Sequence, residues 1–389
     1  MTTNISCIGT QDTLTHVKKV LAEAGGDWKV EGAESADAVL ARAASGDVHI
    51  ALAESNSSSV DAGALFNQLR ERHPGVIRLA YSVGVANNAA PAAAQRVICS
   101  RESTEQLVTL LERAALLHGA MNSERLTEII GALDRLPSVP STYHELNQAA
   151  AKPDTSMQDL AAIVQKDPAL SLKVLQMANS ARFGVSRRLA SIPEAVTYLG
   201  INPIKGLVLS AHVFMAFETE APRGFSLEAF QSYSTKVAGL AQKFVAKRGL
   251  GDAAFAAGLL HDIGKLILAV RHPEASAAAL QRATETGETV SDVERDVFGV
   301  THAEVGTYLL STWGLPLELM EVVAFHHTPS VVQKGEREVL AAVHAADLLT
   351  GVYACGEPER EFDETFLRRT GFDSMIPNWR KLAEQAANG

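Results

Sequence analysis

The chain has 389 residues, of which 47% are hydrophobic and 21% charged. That is a globular composition with room for two or three domains, and it excludes a wholly disordered or collagen-like chain. The 35 Lys and Arg set against 45 Asp and Glu give a formal charge of −10, which argues against broad electrostatic binding to nucleic acid or to an anionic membrane.

The first hundred residues alternate strand and helix patterns. Ile5–Ile8 is a short apolar strand, and Leu14, Val17, Val20 and Leu21 fall on one helical face. Trp28–Val30 is a second strand, followed by a helix marked by Val39, Leu40 and Ala43. His49–Ala53 reads as a buried strand. Leu65, Phe66 and Leu69 predict a helix that stops at His73-Pro74. Val76–Tyr81 is a fourth strand, Asn87–Ala94 an Ala-rich run of weak helical character, and Arg96–Cys99 a fifth strand. Five such repeats predict a doubly wound, five-stranded parallel sheet over residues 1–118.

From Ser103 the apolar positions Leu107, Leu110, Leu111, Ala114 and Leu117 form a stripe that Leu126, Ile129, Ile130 and Leu133 continue. The spacing predicts a linking helix over about 103–135, either a homodimer seam or packed within the chain, and shorter than the sustained heptads of a coiled coil. Leu136-Pro137-Ser138-Val139-Pro140 breaks the pattern. Beyond it the period stays near 3.6, with Asp, Ser or Pro at segment starts, as at Asp167-Pro168. Residues 119–389 therefore read as an all-α domain with C-terminal closing helices packed by Trp379. The expected fold class is α/β plus all-α.

Cys7, Cys99 and Cys355 include no CxxC pair and read as free thiols of a reducing compartment. No run of 18 apolar residues occurs, and MTTNISCIG has neither a basic n-region nor an apolar core. A membrane span and a secretory signal are not expected, and the expected location is the cytoplasm.

The N-terminal pattern resembles a response-regulator receiver, whose chemistry needs an acceptor Asp after the third strand and an acid pair to hold Mg²⁺. Here Gly9 and Thr10 stand after the first strand, Glu54 occupies the acceptor position, Ser82 suits the Ser/Thr position, and Ser100 or Arg101 replaces the Lys. These departures predict a degenerate, receiver-like domain in which Glu54 carries a fixed negative charge.

The chemical content lies further on. His261-Asp262, in GLLHDIGKL, can offer an imidazole and a carboxylate to one metal, and Lys265, one turn later, can hold a phosphate. His302, His326, His327 and Asp347 are further candidate ligands. GLLHDIGKL resembles the HD phosphohydrolase superfamily, in which His, His-Asp and Asp hold a divalent ion that activates water. On that resemblance His261, Asp262 and Asp347 match the core ligands. His302, His326 and His327 resemble the additional ligands of the HD-GYP cyclic-di-nucleotide phosphodiesterases. Two departures stand against activity: Tyr233 occupies the place of the first histidine, and Thr328-Pro329-Ser330 replaces the GYP loop. LPSVP, DLAAIVQKDPALSLKVLQMANSARFG (159–184), SIPEAVTYLGINPIKGLVLS (191–210) and THAEVGTYLLSTWGLP together resemble the HDOD domain, a relative that has generally lost metal ligands and occurs in bacterial signalling proteins. Within it Leu170, Val174, Leu175 and Ala178 read as a core face, and Asn179 as a residue that bonds neighbouring backbone. Gly184 and Gly200 suit helix ends. Lys173, Arg182, Arg187 and Arg188 are candidates for a ligand or partner surface.

The resemblance implies a bacterial signalling adaptor or scaffold, non-catalytic, that relays signals through contacts with cyclic-di-nucleotide enzymes or kinases. Two alternatives stay open. One is a metal-dependent phosphohydrolase, with Asp262 orienting the attacking water and Lys265 binding phosphate. The other is a sensor of a nucleotide or metal. The adaptor reading requires no cofactor, although a remnant site admits Fe, Mn, Mg or Zn, and no direct nucleic-acid binding is expected.

Overall fold

The computed structural model describes residues 2–388 apart from 56, 58, 59, 84–90, 92, 131–135, 138, 153, 181–188, 219–224, 336 and 356–360. The Asn87–Ala94 run lies largely outside these residues, and Gly184, Arg182, Arg187 and Arg188 lie wholly outside them. Strands β1 (Thr3–Ile8), β2 (Trp28–Gly32), β3 (Ile50–Glu54), β4 (Ile77–Ser82) and β5 (Arg96–Cys99) pair in parallel in the order β2-β1-β3-β4-β5. That is the order of flavodoxin-like doubly wound sheets. Ile5 lies beside Val30 and Ile50, and Leu52 beside Cys7 and Leu79, so apolar residues of adjacent strands share a level. Strand β3 is buried along its whole length, as a sheet covered on both faces requires.

Among the described residues, four helices cover this sheet: α1 (Gln11–Ala24), α2 (Ala36–Ala44), α3 (Ala62–Arg72) and α4 (Thr104–Met121). Helices α2 and α3 bury Val39, Leu40, Ala43, Leu65, Phe66 and Leu69 with Ala51, Ala53 and Ala80. Helix α4 packs on α1, β3 and β4. Ser35 and Asp61 cap α2 and α3 by accepting from the backbone N–H of Ala38 and Ala64, and Ser103 with Gln106 forms a capping box for α4.

The stripe that begins at residue 103 is carried by two helices, not by one running to 135. Helix α4 ends at Met121, Asn122 leaves helical geometry (φ −93°, ψ 71°), and α5 (Glu124–Ile130) restarts after Ser123. Leu107, Leu110, Leu111, Ala114 and Leu117 are all buried in the sheet unit, so α4 is a covering helix of that sheet. Periodicity could not detect the break, because the polar pair Asn122-Ser123 falls between apolar positions.

The remaining helices are α6 (Ser141–Ala150), α7 (Met157–Gln165), α8 (Pro168–Ser180), α9 (Ile192–Leu199), α10 (Ile201–Phe217), α11 (Leu227–Val245), α12 (Gly251–Leu260), α13 (Ile263–Arg271), α14 (Pro273–Thr286), α15 (Val290–Phe298), α16 (His302–Thr312), α17 (Leu317–Phe325), α18 (Glu338–Cys355), α19 (Glu364–Thr370) and α20 (Ile376–Asn388). Two compact units result: Met1–Leu126 with Thr307–Ala324, and Thr127–Gly306 with Phe325–Gly389. Asp167 caps α8 through Leu170 N (3.0 Å). Asn179 accepts from Leu189 N (2.8 Å) and donates to Leu189 O (3.0 Å), which pins the chain after α8. Lys173 pairs with Glu218. Trp379 is fully buried between Phe244 and Phe372. The apolar stretch Gly251–Arg271 is mostly buried inside this unit.

The sheet unit buries charged side chains, Arg78, Glu54 and Glu321 among them. Arg78 of β4 is 0% exposed. Its guanidinium donates to Val76 O (2.9 Å), Ala93 O (3.1 Å) and Ser311 O (2.7 Å). Gln95 accepts from Arg78 N (2.9 Å) and donates to Ser311 Oγ (3.0 Å). Burial pushes the Arg78 pKa down to about 9.

Candidate metal centre

Five of the six candidate ligands sit where helices begin or end, and Asp347 lies in the middle of α18. His261 closes α12 and Asp262 opens α13, so the dyad lies at a bend between two helices. Helix α12 carries Gly258 where a Cβ would stand 2.8 Å from Ala238 Cα, and this small contact lets α12 and α11 approach closely. Helix α11 also packs on α18, which carries Asp347. His302 is the first residue of α16. Thr301 and Glu304 form a reciprocal cap there, with Glu304 Oε2 accepting from Thr301 N (2.8 Å) and Thr301 Oγ1 accepting from Glu304 N (3.4 Å). The turn before it uses Gly299 at φ 75°. His326-His327 follow α17 directly.

These six side chains converge within the helical unit. One ligand atom from each of Asp262, His302, His326 and His327 lies within 4.8 Å of the others, and the same holds for His261, His326 and Asp347. His261 Nε2 stands 3.2 Å from Asp347 Oδ1 and 3.4 Å from Asp262 Oδ2. His302 Nε2 is 3.0 Å from His327 Nε2 and 3.2 Å from Asp262 Oδ1. His327 Nδ1 is 3.9 Å from Asp347 Oδ2.

Groups behind the ligands set the ring tautomers. His261 Nδ1 donates to Gly258 O (2.7 Å), because a carbonyl can only accept, and this turns Nε2 inward. His302 Nδ1 donates to Glu294 Oε2 (2.6 Å), and the same oxygen accepts from His302 N (2.8 Å). His344 Nδ1 donates to His326 O (2.7 Å) while its Nε2 accepts from Asp363 N (3.1 Å), which fixes the backbone of the His326-His327 pair. An imidazole whose outer nitrogen is engaged by a carboxylate or carbonyl is the usual partner arrangement of a metal-bound histidine. Tyr233 Oη donates to Asp347 Oδ1 (2.8 Å).

The electrostatics are those of a charged, dry cluster. Burial alone would lower the His261 pKa, but Asp262 and Asp347 outweigh it and push it up to about 10. Burial alone would raise Asp262, yet the His261 and Lys265 charges hold its carboxyl well below the usual range. Asp347 is likewise pulled down against burial by its bond to His261. Burial and the neighbouring imidazoles of His326 and His302 depress His327. The donor separations of 3.0, 3.2 and 3.4 Å fit a cation, since bonds of about 2.0–2.2 Å leave opposite donors at most about 4.4 Å apart. Asp262 Oδ1 is buried and carries no hydrogen bond among the described residues.

Lys265 Nζ is held on Asp262 Oδ2 at 2.6 Å. Glu294 and His344 were not singled out from the sequence. Their signals are weak: Glu294 interrupts the buried stripe of Val293 and Phe298 on α15, and His344 lies one turn before Asp347 on α18. In the sheet unit, Glu54 ends β3 and its Oε2 accepts from Thr10 N (2.8 Å), Thr10 Oγ1 (2.9 Å) and Thr13 Oγ1 (2.9 Å). Burial raises its pKa, and these bonds to the start of α1 more than offset the rise. Its carboxylate is thereby committed to the β1–α1 turn. Ser82 is buried at the end of β4, and Ser100 and Arg101 follow β5.

Comparison with known proteins places the helical unit. The HDOD domain family matches residues 136–329. An uncharacterized protein of Treponema pallidum is 27% identical over 225 residues, 57% of this chain and 43% of its own length. Ribonuclease Y of Thermus thermophilus is 34% identical over 139 residues, 35% of this chain and 18% of its own length. The chain thus spans less than half the length of either curated relative. An HDOD domain protein of unknown function from Geobacter sulfurreducens superposes with a TM-score of 0.52 at 23% identity, covering 67% of this chain and 97% of that structure. At that identity the likeness is one of fold.

Proposed function

This chain is an HDOD-domain protein, and from that premise we propose that it is a signalling protein whose HDOD domain holds a divalent-metal centre that hydrolyses a phosphoester. One observation carries the reading: six imidazole and carboxylate side chains converge, and His261 and His302 each engage the outer ring nitrogen elsewhere. A set of imidazole and carboxylate donors without thiolate suits Mn, Fe or Zn. His261, Asp262, His302, His326, His327 and Asp347 would hold the metal. When bound, a divalent ion acts as a Lewis acid and lowers the pKa of coordinated water.

The chain's own groups do the rest. Glu294 orients the His302 ring, and His344 fixes the backbone that carries His326 and His327. Lys265 balances the Asp262 charge. His327 and Lys265 are the partly accessible members, with side chains 21% and 26% accessible, and they mark the side from which substrate arrives. The substrate class is a phosphodiester. Ribonuclease Y by its name cleaves RNA, and the resemblance to cyclic-di-nucleotide phosphodiesterases makes cyclic-di-GMP the first compound to test.

The test loads the full chain with Mn²⁺ or Fe²⁺ and follows hydrolysis of cyclic-di-GMP, a linear dinucleotide and bis(p-nitrophenyl) phosphate. Turnover should require metal and fall at least about 100-fold in Asp262→Asn. Metal-loaded protein that turns over none of the three would favour a second reading, a non-catalytic adaptor working through signalling partners. Two features support that second reading: Tyr233 stands where the resemblance calls for an imidazole, and Glu54 is locked by Thr10 and Thr13.

A further inference from the structure

Residues 328–332 follow the His326-His327 pair directly and contain the 3₁₀ turn Pro329–Val331. Backbone groups of this loop are engaged by the C-terminal segment. Asp363 caps α19 by accepting from Phe366 N through Oδ1 (2.9 Å), and it accepts from Ser330 N through Oδ2 (3.2 Å). Its own N–H donates to His344 Nε2 (3.1 Å), and the other nitrogen of that ring donates to His326 O (2.7 Å). Asp363 is thus tied to the loop at Ser330 and, through His344, to the ligand pair at His326. Arg369, further along α19, donates from Nη2 to Ser330 O (3.0 Å) and Val332 O (2.9 Å). A segment that only closed the core would need the buried Phe366, Leu367, Phe372 and Trp379 and none of these bonds. The family match ends at residue 329, so Asp363 and Arg369 lie beyond it.

We propose that Asp363 and Arg369 are positioning residues of the metal centre, which hold the His326-His327 pair at the spacing a cation needs and so raise its affinity. The inference rests on the metal reading above and deepens it. His327 Nε2 stands 3.0 Å from His302 Nε2, and His327 leaves α17 on a loop rather than on a helix. Such a ligand keeps its place only while the loop backbone is fixed. A loop that is free before binding must be ordered at the binding step, and that loss of entropy weakens affinity. Bonds to the backbone N–H and C=O groups of residues 330 and 332 fix the chain path directly. They extend outward the arrangement in which groups behind the ligands orient them, and removing such a partner weakens metal binding by about 10–100-fold.

The experiment measures the Zn²⁺ and Mn²⁺ affinity of the full chain by chelator competition, beside urea unfolding. It compares the native protein with Asp363→Asn, Arg369→Met, Arg369→Lys and Phe372→Leu. Asparagine still caps α19 but offers Ser330 N no carboxylate oxygen. Methionine keeps an apolar stem without donors, and lysine restores a donor. Phe372→Leu loosens the packing on Trp379 without touching the loop, so it reports lost stability alone. Asp363→Asn and Arg369→Met should each bind both ions at least about 10-fold more weakly than the native chain. Arg369→Lys should recover part of that loss, and Phe372→Leu should stay within about twofold of native affinity. A merely structural role ties affinity to stability, so Phe372→Leu would then weaken binding as much as the loop variants do. That result, or affinity within about twofold of native in either Asp363→Asn or Arg369→Met, overturns the inference and leaves the metal reading intact. A native chain that binds neither ion contradicts both.

Discussion

Gly264→Ala should cost the helical unit at least about 4 kcal/mol, well above an ordinary surface substitution. A Cβ at position 264 would stand 1.9 Å from the His302 carbonyl oxygen and 2.7 Å from Gly306 N. Both obstacles are backbone of α16, so no side-chain rotation relieves the overlap, and the start of α16 must move away from α13. That movement would separate Asp262 from His302, now 3.2 Å apart through Oδ1 and Nε2. The glycine of the His-Asp-Ile-Gly segment is therefore what allows Asp262 and His302 to meet. Gly249→Ala is the control. Gly249 is left-handed (φ +74°) and a Cβ there meets nothing within 4 Å, so the cost should be only the conformational one of about 1–2 kcal/mol. Urea unfolding of the two variants, followed by far-UV circular dichroism, separates the cases. Equal losses would mean that the contact of α13 with α16 is softer than described.

Arg78→Ala should destabilise the sheet unit by about 3–5 kcal/mol. Two terms contribute: an emptied volume, and unsatisfied carbonyls at Val76, Ala93 and Ser311. Against this stands the burial that lowers the Arg78 pKa to about 9, so removal also relieves a desolvated charge. Arg78→Met discriminates between the terms. It keeps most of the volume and donates nothing, and it should recover less than half of the loss. Full recovery by methionine would assign the whole effect to packing.

Much of the architecture was legible because it rests on local periodicity. The five strands and α1 to α3 follow from apolar runs and faces such as Val39, Leu40 and Ala43, which are buried as a set. Asp167-Pro168 announced α8 through capping chemistry alone. The break at Asn122-Ser123 was invisible for the opposite reason, since the apolar period runs on across it. Arg78 sat inside a correctly placed strand, but its burial was not legible, because its short bond to the Ser311 carbonyl joins residues far apart along the chain. In the site, the rare dyads His261-Asp262 and His326-His327 drew attention to themselves, and the fold brings them together with His302 and Asp347. The residues that orient them had no such signature. Glu294 is a single carboxylate in an apolar face, and His344 is known as a support only once its bond to the His326 carbonyl is seen. Tyr233 was legible as a replaced histidine, and its contact with Asp347 was not.

The central claim is that the helical unit is a working metal centre. The most direct test is the metal content of the full chain, purified without chelator and then equilibrated with Mn²⁺, Fe²⁺ or Zn²⁺, beside His261→Ala. His261 is fully buried and faces two carboxylates through Nε2. Its loss should lower affinity by at least about 100-fold and leave the variant nearly free of metal. At least one ion per native chain, absent from His261→Ala, is the predicted result. Native protein that takes up none of the three ions would contradict the claim and leave the cluster as a buried network of hydrogen bonds.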